Sequence, residues 1–171
     1  AAIVNRSHNK YHNDRAGFFG FFECVNEPEV ARALFEKASA VLREAGMETI
    51  RGPYNPSIND DCGVLLNGFD KPTVIGLPWN PTYYAGLLEN FGFAKARSLY
   101  VMSLPLHRLQ PPERFVRIIE RLKKRANLAM RPFDLKKLDR ELDIVRRVYN
   151  ATLERNWGFV PIGNEDLMDS A

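Results

Sequence analysis

The chain has little cysteine: Cys24 and Cys62 are its only two. They are too few for a disulfide framework and lack the paired spacing of a zinc site, so both are expected as free thiols. No apolar run approaches the roughly 18 residues a bilayer-spanning helix needs. No segment joins a basic start, an apolar middle and a small-residue cleavage site, so no signal peptide is read. Low-complexity segments and short-period repeats are absent as well. These absences set the expectation of a cytoplasmic protein with no membrane partner. Neither sign of charge dominates: the formal net charge is +3, so nucleic-acid binding would require a local patch. An initiator Met is missing too, and the opening "AAIVNR" reads as the inside of a strand in a longer protein. What is present is the composition of a globular domain, 171 residues that are 45% hydrophobic and 26% charged, enough to bury a core.

The polar stretch "SHNKYHNDRAG" reads as a loop. His8 and His12 stand four apart near Asp14, a spacing that chelates metal only on a helix; with loop-forming neighbours and no third ligand, no metal is expected. "FFGFFECV" (18–25) has aromatics at successive positions, the mark of a strand buried on both faces. A helix follows, with Asn26 as cap, Pro28 in its first turn, Val30, Leu34, Ala38, Val41 and Leu42 at helical spacing, and Gly46 as its stop. "METIRG" is the next strand. The polar turn "PYNPSINDDCG" leads to the apolar runs "VLLNGFD" and "PTVIGLPW". A short helix over 83–91 is closed by Gly92, and "ARSLYVMSL" reads as a last strand. Strands alternating with helices predict an α/β, or α+β layered, fold: a mixed central sheet flanked by helices, then a helical segment.

Beyond Leu104 the character changes. Residues 105–132 form a proline-bearing linker and a basic helix with Arg114, Arg117, Arg121, Lys123, Lys124, Arg125 and Arg131 against Glu113 and Glu120. Such a run is ordinarily a solvated face, with Phe115, Ile118, Ile119 and Leu122 as the buried side. No aromatics interleave the basic residues as a stacking platform requires, so nucleic-acid binding ranks last. From 133 a longer helix starts at the capping Asp134, with Leu135, Leu138, Leu142, Val145 and Tyr149 on one stripe. The tail "NWGFVPIGNEDLMDSA" places Trp157 and Phe159 in a turn and then begins another capped helix.

The segments "GFFGFFECVNEPEVARALFEKASAVLREAG", "RGPYNPSINDDCGVLLNGFD" and "WNPTYYAGLLENFGFAKARSLYVM" resemble an uncharacterised bacterial branch of the GNAT acyltransferase superfamily, whose members carry two GNAT-like halves. The resemblance implies that 1–104 is the C-terminal part of a GNAT-like domain and that 133–171 opens a second half, an intramolecular partner. It also implies transfer of an acyl group from acetyl-coenzyme A or another acyl-coenzyme A to a small-molecule amine. Such chemistry needs a base to deprotonate the amine, a cradle for phosphate and an acid for the departing thiolate.

Glu23 is the candidate base, placed near the end of the central strand among large aromatics whose burial would raise its pKa. Its plain alternative is an ion pair with Arg51 or Lys95. The family's phosphate cradle falls on "CVNEPEV", which has no glycine, a proline without an N–H and two carboxylates. The family's tyrosine acid, four residues before the closing glycine, falls on Leu88. Tyr84 lies one turn earlier on the same face and is the substitute acid; aromatic packing at a helix start is the plain reading of Tyr83 and Tyr84. The loop bearing Asn55, Ser57, Asn59 and Asp61, with Asn80 and Tyr83 at the head of the short helix, is assigned to acceptor binding; turn chemistry is the alternative. Cys62 has no histidine near it in sequence to activate it as a nucleophile.

Three functions follow. The first is a GNAT-like N-acyltransferase. The second is a non-catalytic GNAT-like module that binds a small molecule or a partner domain. The third is a tandem enzyme using an aminoacyl-tRNA donor, like cell-wall bridge-forming relatives with paired halves. The first two part at one observable: a catalyst keeps an open cleft between the central strand and its neighbour that admits a thioester, with a carboxylate at its mouth, whereas a scaffold fills that splay with the phenylalanines of "FFGFFE".

Overall fold

The computed structural model describes residues 1–105, 107, 110–126 and 131–163, a mixed α/β protein with a small mixed sheet. It divides into two compact units, one made of Ala1–Ala94 and the chain from Ile144 onward, the other of Lys95–Asp143.

The first unit is built on β1 (Ala2–Ile3), β2 (Ala16–Phe19) and β3 (Thr49–Arg51), in that spatial order. β1 runs antiparallel to β2, with Ala2 opposite Phe19, and β3 runs parallel to it, with Ala16 opposite Thr49. All four residues of β2 are buried. Successive side chains of a strand point to opposite faces, and here both faces are covered. Phe18 meets the His8 ring edge-on at 4.9 Å and stacks on Tyr54 at 4.9 Å. Phe19 packs against Phe35 at 5.4 Å and Phe93 at 5.1 Å. The doubly covered strand is therefore present, but it ends at Phe19 and not at Val25. Gly20 lies so near the Tyr54 carbonyl that a Cβ there would collide with it. Phe21 then adopts a left-handed φ of 50°, which turns the chain out of the sheet.

The expected first loop is a helix, α1 (Arg6–His12). Asn5 caps it, its side chain accepting from the His8 N–H at 2.8 Å, and Asn13 closes it at φ 52°. The same Asn residues that signal turns also make good helix ends, and that ambiguity hid the helix. α2 (Pro28–Glu44) starts from Glu27, which makes no capping bond, rather than from Asn26. Its buried stripe is Ala31, Phe35 and Leu42, while Val30, Leu34 and Val41 are exposed. The helix is rotated to seat Phe35 among Phe19, Phe22, Phe91 and Phe93. The four-ring cluster around Phe35 adds specific aromatic contacts to its area burial.

A second, two-stranded sheet joins β4 (Tyr54–Asn55) to β5 (Asp61–Cys62) antiparallel. α3 (Tyr84–Phe91) ends at Gly92, φ 107°, whose N–H returns to the carbonyls of Leu88 and Glu89, the expected glycine stop. The runs "VLLNGFD", "PTVIGLPW" and "ARSLYVMSL" form no strand among the described residues. Leu99, Tyr100, Val101 and Met102 are exposed. Apolar patterning marks strand potential, but a strand exists only with a ladder partner. Residues of α5 (Leu138–Leu153) return to the first unit, where Tyr149 Oη donates to Asn59 Oδ1 at 2.9 Å. Asn150 there exchanges two bonds with the backbone of Ile162. In the expected turn, Phe159 is buried while Trp157 stays exposed. The further helix expected in the tail, from 164, lies outside the described residues.

The second unit holds α4 (Glu113–Arg125), no residue of which is buried; the apolar side expected to be covered is exposed. The helix expected from 133 opens as a 3-10 turn over Leu135–Lys137, capped by Asp134, before α5. Leu135 and Val145 of its expected stripe are exposed. Arg131 grips the buried Glu141 at 2.8 and 2.9 Å, and that paired contact holds the arginine's pKa up.

Burial, with a smaller push from Cys62, raises the Tyr54 hydroxyl to about 12. An unfolded tyrosine titrates near pH 10, so the folded state holds this proton more tightly. Its contribution is complete below about pH 10 and declines as pH rises toward 12, by about 3 kcal/mol. Urea midpoints across this range should fall more steeply for the wild type than for Tyr54→Phe; parallel curves would refute the assignment.

Candidate active site

The residues that leave β2 pass the head of α3, and two adjacent tyrosines receive them. Tyr84 Oη donates to Glu23 Oε2 at 2.9 Å and accepts from the Cys24 N–H at 3.1 Å. Tyr83 Oη donates to the Cys24 carbonyl at 2.9 Å. The pair thus clamps both backbone polar groups of one residue, Cys24, and fixes the carboxylate beside it. Tyr84 is buried, edge-on to Phe22 at 5.0 Å. Burial is the main cause that raises its pKa, and the neighbouring Glu23 adds to it, while the Cys24 N–H pulls the other way.

Glu23 itself is exposed and stands four residues past the end of β2, not enclosed by the aromatics beside it. Arg51, its expected ion-pair partner, instead reaches Asp14 at 3.4 Å. Glu23 lines a cleft of about 110 Å³ together with Ala1, Gly20, Phe21, Leu34 and Ala38, floored by Phe19, Phe22 and Phe35. The cleft opens between the β2 exit and α2, with no residue of β3 on its lining, and not in a splay between the central strand and its neighbour as expected; the phenylalanines line it without filling it. Phe21 stands at its wall in the left-handed conformation, which costs a bulky residue about 1–3 kcal/mol and gathers at functional sites. Its N–H is tied to Asn55 Oδ1 at 2.6 Å.

Of the other sequence candidates, Tyr83 shares the clamp and Asn55 meets the cleft wall through the Phe21 N–H; the rest are bonded within their own loops. Ser57 and Asp60 bond one another within the hairpin turn at 2.7 Å, and the Asn59 N–H rests on Ser57 Oγ. Asp61 pairs with Asn55 in the small sheet. Asn80 is buried, its side chain accepting from the Leu65 N–H at 2.7 Å and donating to the carbonyls of Leu65 and Pro81. Burial and the nearby Asp61 and Asp60 raise the Cys62 thiol pKa, and burial raises that of Cys24, so neither is a ready thiolate. His8 and His12 share a helix face with ring centroids 4.3 Å apart. His8 reaches Asp14 and Arg51, and His12 Nε2 contacts the Phe159 carbonyl at 2.8 Å. Burial, with His12 and Arg51, lowers the His8 pKa despite Asp14. No group of three metal-binding side chains occurs among the described residues.

Sequence reasoning missed the Cys24 backbone as the anchor and Leu34 with Ala38 as cleft wall. The i, i+4 spacing of those two was visible, but was read as core.

No known family profile matches the chain, and no solved structure matches it. It is similar to Protein YghO of Escherichia coli (strain K12), 28% identical over 166 residues, 97% of this chain and 42% of that protein. It is also similar to a protein named bacterial ceramide synthase of Caulobacter vibrioides (strain NA1000 / CB15N), 30% identical over 148 residues, 85% of this chain and 37% of that protein. The chain spans about two fifths of the length of these bacterial relatives.

Proposed function

We propose that the chain is part of a GNAT-like N-acyltransferase that moves an activated acyl group to a small-molecule amine. The observation that carries this reading is the 2.9 Å bond from the buried Tyr84 to Glu23, the carboxylate that lines an open cleft. In this reading Glu23 takes a proton from the amine as its nitrogen bonds to the acyl carbon. The bond to the leaving group breaks, and Tyr84 gives that group its hydroxyl proton. Glu23 then returns the amine's proton to Tyr84 along their hydrogen bond, so one proton passes from amine to leaving group and the dyad is restored. The raised pKa of Tyr84 keeps the hydroxyl loaded. Support also comes from the relative named a ceramide synthase, since a ceramide is an amide of an amino alcohol.

The start of α2 does not fit the pyrophosphate of coenzyme A. Pro28 offers no N–H, and the carboxylates of Glu27 and Glu29 would repel an anion there. That misfit favours the second reading, a non-catalytic GNAT-like module. Calorimetric titration of acetyl-coenzyme A and longer acyl-coenzyme A into the full-length parent, with mass spectrometry of the amide formed from added amines, separates the two. On the acyl-transfer reading the parent forms the amide, with coenzyme A held elsewhere than at the start of α2, and the rate has an alkaline limb above the ordinary tyrosine range near pH 10. Absent heat and absent product would leave the module.

A further inference from the structure

We propose that α4 is an interfacial helix that seats the protein on an anionic lipid surface. Phe115, Ile118, Ile119 and Leu122 stand at i, i+3, i+4 and i+7, one stripe of the helix. They are 47%, 48%, 49% and 53% exposed, so this stripe is largely bare. Arg114, Arg117, Arg121, Lys124 and Arg125 fall on the adjoining face by the same spacing, and Lys123 borders the stripe's other edge. Against these six cations the helix carries only Glu113 and Glu120. The Arg114 guanidinium lies 5.1 Å from the Phe115 ring, at the seam between the faces, where a long stem covers apolar surface while its head reaches a phosphate.

The two faces together select the partner. A nucleic acid would neutralise the cations but leave the apolar stripe in water. A protein core would take the stripe and gain nothing from the cations. An anionic bilayer satisfies both, with the apolar face sunk to the acyl boundary and the basic flank among headgroups. A helix of 13 residues this charged lies in the interface and does not span it, in keeping with the absence of a membrane-crossing helix among the described residues. This inference is independent of the acyl-transfer reading.

The test is sedimentation of the full-length parent with phosphatidylcholine vesicles, with and without phosphatidylglycerol. Co-pelleting is expected only with the anionic lipid and should weaken as salt rises. Arg121→Glu with Lys124→Glu should lower partitioning at least about tenfold, and Ile119→Ser with Leu122→Ser should do so separately. All four positions are exposed, so circular dichroism and melting should stay as in the wild type. Failure to pellet, equal pelleting on neutral vesicles, or retention on DNA without vesicle binding would each overturn the proposal.

Discussion

Glu23→Gln in the full-length parent should lower kcat by about 10²–10⁴-fold, the usual contribution of a positioned acid or base, while KM and the melting temperature barely move. The carboxamide keeps an oxygen to accept from Tyr84, so the bond seen at 2.9 Å can persist. What is lost is the capacity to receive a proton. The side chain is exposed, so its replacement leaves no cavity. Retained kcat would remove Glu23 from the chemistry. A loss of melting temperature equal to the loss of activity would instead mark a structural role.

Phe35→Ala should cost about 3–5 kcal/mol, the range for deleting a fully buried aromatic. The ring is 1% exposed and stacks on Phe22 at 4.8 Å while contacting Phe19, Phe91 and Phe93 within 5.4 Å. It joins β2, α2 and the end of α3, so no single element can relax into the space. Leu34→Ala, one position away and 45% exposed, should stay within about 1 kcal/mol of wild type. Urea unfolding of both variants checks the rotation of α2. Equal losses at the two positions would show that the helix packs through the broader stripe.

That contrast also marks how far the sequence could be read. Helical spacing announced α2, and Pro28 and Gly46 marked its ends, but periodicity does not weigh a phenylalanine against three aliphatic residues, so the buried face was displaced. The doubled aromatics of 18–25 announced a strand covered on both sides. The exit at Gly20 and Phe21 depends on the Tyr54 carbonyl, 34 residues from Gly20 in the chain, which no local pattern encodes. α1 was concealed because asparagine serves equally as a turn former and a helix cap. At the candidate site, Glu23 and Tyr84 were each singled out by resemblance. Their hydrogen bond was not foreseeable, because it needs the strand to end early. Counting along the helix alone put the acid position on Leu88, and Tyr84 meets Glu23 because the chain beyond β2 comes to it.

The clamp on residue 24 gives the site its own gauge. The Cys24 amide hydrogen rests on Tyr84 Oη, so its deuterium exchange is slow only while α3 and the chain leaving β2 stay docked. Exchange at that one amide therefore reports how often the Glu23 and Tyr84 pair comes apart, in the absence of any substrate.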